Sequence, residues 1–117
     1  MTEEQFKQRT KQFGIRIIRL VEALPSGRTA SVIGNQLLRS GTSVGANYRA
    51  ACRGKSVADT LSKLAIVEEE ADESLYWMEV LIESGLMPRK RLQDLMQEGD
   101  EIVAMVVASI KTMRRRR

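Results

Sequence analysis

Four stretches of this chain place apolar residues at steps of three and four, and breaks rich in proline, glycine and serine separate them. No stretch alternates polar and apolar side chains as a half-buried strand does, which confines the chain to an all-α fold. The first helix is expected over about residues 3–23, with Thr2 as N-cap and Gln5 closing a capping box. Phe6, Thr10, Phe13, Ile17, Leu20 and Leu24 form its buried stripe. Pro25-Ser26-Gly27 ends it, because a residue before proline avoids helical geometry.

The second helix is expected from about Ala30 to Cys52, with Ser26 or Thr29 as its N-cap. Ile33, Leu37, Val44 and Tyr48 make its apolar line, and Gln36, Ser40, Ser43 and Asn47 make a second, polar one. Gly34, Gly41 and Gly45 each cost a helix up to about 1 kcal/mol relative to alanine. Close approach of another helix backbone is the compensation expected, with hydroxyls and amides bonding across it. Gly54 suits a left-handed helix end and Ser56 the N-cap of a third helix reaching about Ser84. Its stripe is Leu61, Leu64, Ala71, Leu75, Met78 and Ile82, interrupted at Glu68. Gly85 follows as C′ and Pro88 as N1 of a fourth helix, lined by Leu92, Leu95, Met96, Ile102, Val106, Ile110 and Met113. Long helices on short connections must run antiparallel to their sequence neighbours. The expected architecture is an antiparallel up-down-up-down four-helix bundle over residues 1–113, with 114–117 as a flexible basic tail.

Charge narrows the function classes. Across 117 residues there are 19 basic and 15 acidic side chains, a formal +4, and no histidine. The sign is segregated: residues 64–88 hold seven acids and no base, whereas residues 1–63 hold 11 bases and four acids. Without histidine the usual neutral-pH proton shuttle and the commonest metal nitrogen are absent, and no nucleophile–base pair is in view. No catalytic residue, metal site or cofactor is therefore expected. A carboxylate di-iron centre in a bundle would need Glu-x-x-His pairs, which the acids Glu68 to Glu73 lack. Cys52, the single cysteine, reads as a small buried apolar side chain, although Arg49 and Arg53 beside it would favour a thiolate. No apolar run approaches the roughly 18–20 residues of a membrane span, and the acidic, polar N-terminus has no signal-peptide pattern, so the expected location is cytoplasmic.

Two groups of candidate residues remain. For helix packing and assembly they are Gln36, Arg39, Ser40, Ser43, Gly45, Asn47, Glu70, Glu73, Tyr76 and Trp77. Glu70 and Glu73 point away from the solvated face of Glu69, Asp72, Glu79 and Glu83, toward Arg39 or Arg49 of the second helix. Tyr76 and Trp77 are expected at the core edge, with a subunit contact as the alternative, and their acidic surroundings argue against base stacking. Basic candidates for phosphate contact are Lys7, Lys11, Arg16, Arg19, Arg53, Lys55 and Arg114, Arg115, Arg116 and Arg117. Arg9 belongs with Lys7, Lys11, Arg16 and Arg19 on the outer face expected for the first helix.

Several strings are those of a known family. They are Arg9-Thr10-Lys11-Gln12-Phe13, Leu24-Pro25, the run from Gln36 to Arg49 with Arg39-Ser40-x-x-Ser43-x-x-x-Asn47 inside it, and later Glu69-Glu70-Ala71, Glu73-Ser74 and Tyr76-Trp77. Through these the chain resembles, over nearly its whole length, the bacterial four-helix-bundle family first noted in reading frames within 23S rRNA intervening sequences (ribosomal S23-like). Ala50 stands where many members look to carry glutamate, and Thr60-Leu61 where they carry an aromatic, so an Arg–Glu network here depends on Glu70 and Glu73. The resemblance implies a homo-oligomer, a pentamer around a central channel. It also implies kinship in architecture with the accessory variability protein of diversity-generating retroelements, and through it nucleic-acid binding, RNA or DNA. The alternative is a scaffold oligomer that binds a protein partner through its acidic third helix or its channel.

Overall fold

A computed structural model describes residues 1–116; Arg117 lies outside the described residues. Four helices account for nearly all of them: α1 Glu3–Glu22, α2 Arg28–Cys52, α3 Val57–Glu83 and α4 Arg89–Arg114. Local chemistry sets most of these boundaries. Thr2 and Gln5 form the reciprocal capping box, with Thr2 Oγ1 accepting the Gln5 N–H at 3.1 Å and Gln5 Oε1 the Thr2 N–H at 2.9 Å. Ser56 Oγ accepts the Asp59 N–H at 3.0 Å, while Asp59 accepts the Lys55 N–H at 3.1 Å. Gly85 takes φ 81° after α3, a conformation that costs a side-chain-bearing residue steric strain.

Three termini differ from expectation. Gly27, at φ 133°, is the N-cap of α2, and neither Ser26 nor Thr29 caps it. Pro88 is the N-cap of α4 and not its first helical residue. Gly54 does not adopt a left-handed conformation. A Cβ there would collide with the Thr60 hydroxyl and stand 3.1 Å from the Thr60 Cα, so this glycine serves the close return of the chain into α3.

Each helix packs on the next in sequence, and α4 closes on α1 more distantly, giving an up-down-up-down bundle of 47 × 22 × 21 Å. Phe13, Ile17, Leu37, Val44, Val67, Met78, Leu81, Leu92, Ile102 and Val106 are fully buried along its axis. In α3 the stripe is continuous: Val67 fills the place assigned to an interruption at Glu68, and Ser74 and Leu81 join it. Leu61 and Ile82 are only half-buried at its edges.

The small residues of α2 face α1. A Cβ on Gly45 would lie 3.2 Å from the Thr10 carbonyl oxygen, and one on Gly14 3.3 Å from that of Gly41. The compensation for glycine in a helix interior is thus a close backbone crossing inside one chain. On the far side of α2, Ser40 is fully buried and its Oγ accepts from Ser74 Oγ of α3 at 3.1 Å. Each hydroxyl also donates or lies close to a carbonyl of its own helix, Leu37 at 3.2 Å and Glu70 at 2.8 Å, so neither is left unsatisfied.

Candidate nucleic-acid interface and assembly surfaces

The charged side chains sort into two internal clasps and a set of free surfaces. Arg39 reaches Glu70 at 3.1 Å and also bonds Glu73, tying α2 to α3. Arg49, the other partner the spacing allowed, makes no ion pair among the described residues. The Glu70 charge is the main influence holding the Arg39 guanidinium above its ordinary pKa.

Arg9 is the second clasp, and it corrects the expectation of an exposed side chain. Its guanidinium bonds both Glu98 oxygens at 2.7 Å and Glu101 at 2.6 Å, spanning from α1 to α4. The hydrogen bond to Glu98 raises its pKa, against the opposing effect of burial. Glu101 is held below the ordinary glutamate range by hydrogen bonds from Gln97 and Arg9. Sequence spacing put Arg9 on a face; it did not say that α4 would stand over that face.

The polar line of α2 divides. Gln36 is exposed, while Ser43 Oγ donates to the Arg39 carbonyl at 2.7 Å and Asn47 Nδ2 to that of Ser43 at 2.9 Å, both within α2. Only Ser40 bonds across to another helix. Tyr76 is 55% exposed on the acidic face of α3, so it is not at the core edge. Trp77 is half-buried beside it, ring centroids 5.0 Å apart at 75°, with its Nε1 buried and without an acceptor. Cys52 is half-buried, and burial raises its thiol pKa, the reverse of what two flanking arginines suggest.

The basic candidates separate by geography. Lys7, Lys11 and Arg53 line a trough of about 470 Å³ between α1 and α2, joined there by Arg49, which the candidate set omitted. Its floor is the crossing itself, Gly14, Gly45 and Ala46, with Ile15 and Ile18 further along. Arg16 and Arg19 face the other way, into a depression of about 330 Å³ with Arg91 and Asp94 of α4. Lys55 is exposed in the α2–α3 connection.

Topology then joins what sequence separates. The start of α1, the end of α2, the start of α3 and the end of α4 share one end of the bundle, where Glu3, Cys52, Thr60 and Met113 line one depression. Lys7, Arg49, Arg53, Lys55, Lys111, Arg114, Arg115 and Arg116 gather toward that end, against Glu3, Glu4 and Asp59, whereas Lys11 lies midway along the bundle. Arg114 is helical and Arg115 and Arg116 form a turn. One pairing reduces the sum, Lys7 with Glu4 at 3.7 Å. Among the described residues no cluster of three or more Cys, Asp or Glu could hold a metal ion, and no helix is long and apolar enough to cross a membrane.

Comparison with known proteins agrees with this architecture. No curated protein matches the chain. A crystal structure of a protein of unknown function from the S23 ribosomal protein family of Bacteroides thetaiotaomicron superposes with a TM-score of 0.84 at 36% identity, covering 90% of this chain and 97% of that one. The model of the 23S rRNA-intervening sequence protein family matches residues 2–108. That match spans nearly the whole chain, and with it the chain belongs to the 23S rRNA-intervening sequence protein family.

Proposed function

We propose that this protein is a non-enzymatic bundle that assembles with copies of itself, as a homopentamer, and binds the phosphate backbone of RNA through its basic end. The observation that carries the reading is the convergence of Lys7, Arg49, Arg53, Lys55, Lys111 and Arg114–Arg116 from three separated sequence regions onto one end of one molecule. Phosphate binding by such a patch gains from counterion release, in proportion to the charges engaged. The number five rests on the resemblance to the family, and RNA is favoured over DNA by the family's link to rRNA intervening sequences. In a rotationally symmetric assembly every copy presents the same end on the same side, which multiplies a modest patch.

RNA binding followed across a salt series tests this. The logarithm of affinity should fall linearly with the logarithm of salt, by about 0.7–0.9 per phosphate engaged, and the slope should become shallower when residues 111–117 are removed. No binding of RNA or DNA by the intact protein at low salt overturns the reading. A scaffold that holds a protein partner on the exposed acidic face of α3 is the second reading. A native mass showing one stoichiometric protein after nuclease treatment, and no nucleic acid before it, would replace the first with the second.

A further inference from the structure

The outer face of α3 is one unbroken stripe. Ala58, Ser62, Ala65, Glu69, Asp72, Tyr76, Glu79 and Glu83 follow at alternating steps of four and three, and all are exposed. Its far half is acidic around the exposed Tyr76, and its near half is small. The α1/α2 trough is the reverse in character: a slender floor, Lys11 on its wall, and Ile18 37% exposed further along. We infer that the α3 stripe of one copy docks into the α1/α2 trough of the next, with Tyr76 against Ile18 and Glu69 against Lys11. This rests on the self-assembly proposed above and names the two surfaces that perform it.

Heights along the bundle support the match. A Cβ on Gly45 would touch the Lys11 backbone nitrogen, and Ser40 bonds Ser74 across α2 and α3. Moving along α2 from Ser40 to Gly45 therefore corresponds to moving back along α3 from Ser74 to Glu69, so Lys11 and Glu69 stand level. By the same reckoning Gly14 lies against Gly41, Ile18 is level with Leu37, and Leu37 with Tyr76 and Trp77. Rotation about an axis parallel to the helices preserves every height. Copies related in that way bring a carboxylate to an ammonium and an aromatic ring to an aliphatic side chain without sliding. The contact joins two different surfaces, so it does not stop at a pair, and a rotation without rise along the axis returns on itself as a ring. The near half of the stripe, Ala58, Ser62 and Ala65, carries no carboxylate, so it neutralises none of Lys7, Arg49 and Arg53.

Native mass measured on single variants tests the assignment. The wild-type chain should give a closed oligomer, whereas Tyr76→Asp and Ile18→Asp should each give a single chain of unchanged helicity, since both side chains are exposed. Mixed in equal amounts, the two variants should form a dimer with one chain of each, because each retains one intact surface. Lys11→Glu should weaken assembly at least tenfold, and adding Glu69→Lys in the same chain should restore it. Variants at positions 18 and 76 that keep the wild-type mass overturn the assignment while leaving self-assembly standing. A wild-type chain that stays single at every concentration overturns both.

Discussion

Gly41 and Gly45 let α1 and α2 approach more closely than residues with a Cβ permit. A Cβ on Gly41 would lie 2.9 Å from Ile17 Cγ2 and 3.1 Å from its Cβ, and Ile17 is fully buried in a close-packed core. Gly41→Ala should destabilise the fold by about 1–3 kcal/mol despite its better helix propensity, which thermal unfolding will register as a lower midpoint. Trp77 presents the opposite case. Its buried Nε1 has no acceptor, so the indole N–H carries a desolvation cost and returns no bond. Trp77→Phe should hold the melting temperature within a few degrees of wild type, unlike a typical large-to-small core change. Cys52, with its pKa raised by burial, should alkylate slowly at neutral pH and faster as the pH rises toward and above 9, followed by mass shift with iodoacetamide.

Among the elements, α4 is the helix least held by its neighbours, since its contact with α1 is the sparsest in the ring of four. The Arg9 clasp closes that seam. Arg9 and Glu98 keep 22% and 19% of their side-chain surface in water, so screening reduces their bond below that of a fully buried pair. Arg9→Ala should cost about 1–2 kcal/mol and raise amide exchange first in α4. Acid acts on the same clasp. The folded-state pKa of Glu101 is depressed, by Gln97 and then Arg9, so its contribution is present above the ordinary glutamate value of about 4.3 and is lost as pH falls through the lowered value. The gap in melting temperature between wild type and Arg9→Ala should therefore begin to narrow as pH falls below about 4. Helix spans and side-chain caps were legible because they depend on residues three or four apart, as Thr2–Gln5 and Ser56–Asp59 illustrate. The α3 stripe was half legible: Val67 sits beside an acidic run that obscures the period.

At the scale of the whole molecule, the basic end exists only through the fold. Replacing Lys7, Arg49 and Arg53 together by alanine should weaken RNA binding and make the salt dependence shallower by up to about 2–3 in log–log slope, at about 0.7–0.9 per lost contact. The same treatment of Arg16, Arg19 and Arg91, which face the other depression, should have a clearly smaller effect. Comparable losses from both triple variants would mean that net charge and not this end is recognised. The seven acids of residues 64–88 do not dilute the basic end: their α3 positions begin beyond its first turns, and Glu70 and Glu73 are engaged by Arg39.

By itself the sequence determined four helices, their approximate limits, their buried sides and their antiparallel order, because periodicity, capping and short connections act locally. The pairing of Arg39 over Arg49, the capture of Arg9 by α4, the intrachain purpose of the α2 glycines and the meeting of Lys7, Arg53 and Arg114 were decided by tertiary structure. A helical period states where a side chain points about its own axis, whereas the neighbour it meets and the height at which it meets it depend on how whole helices pack.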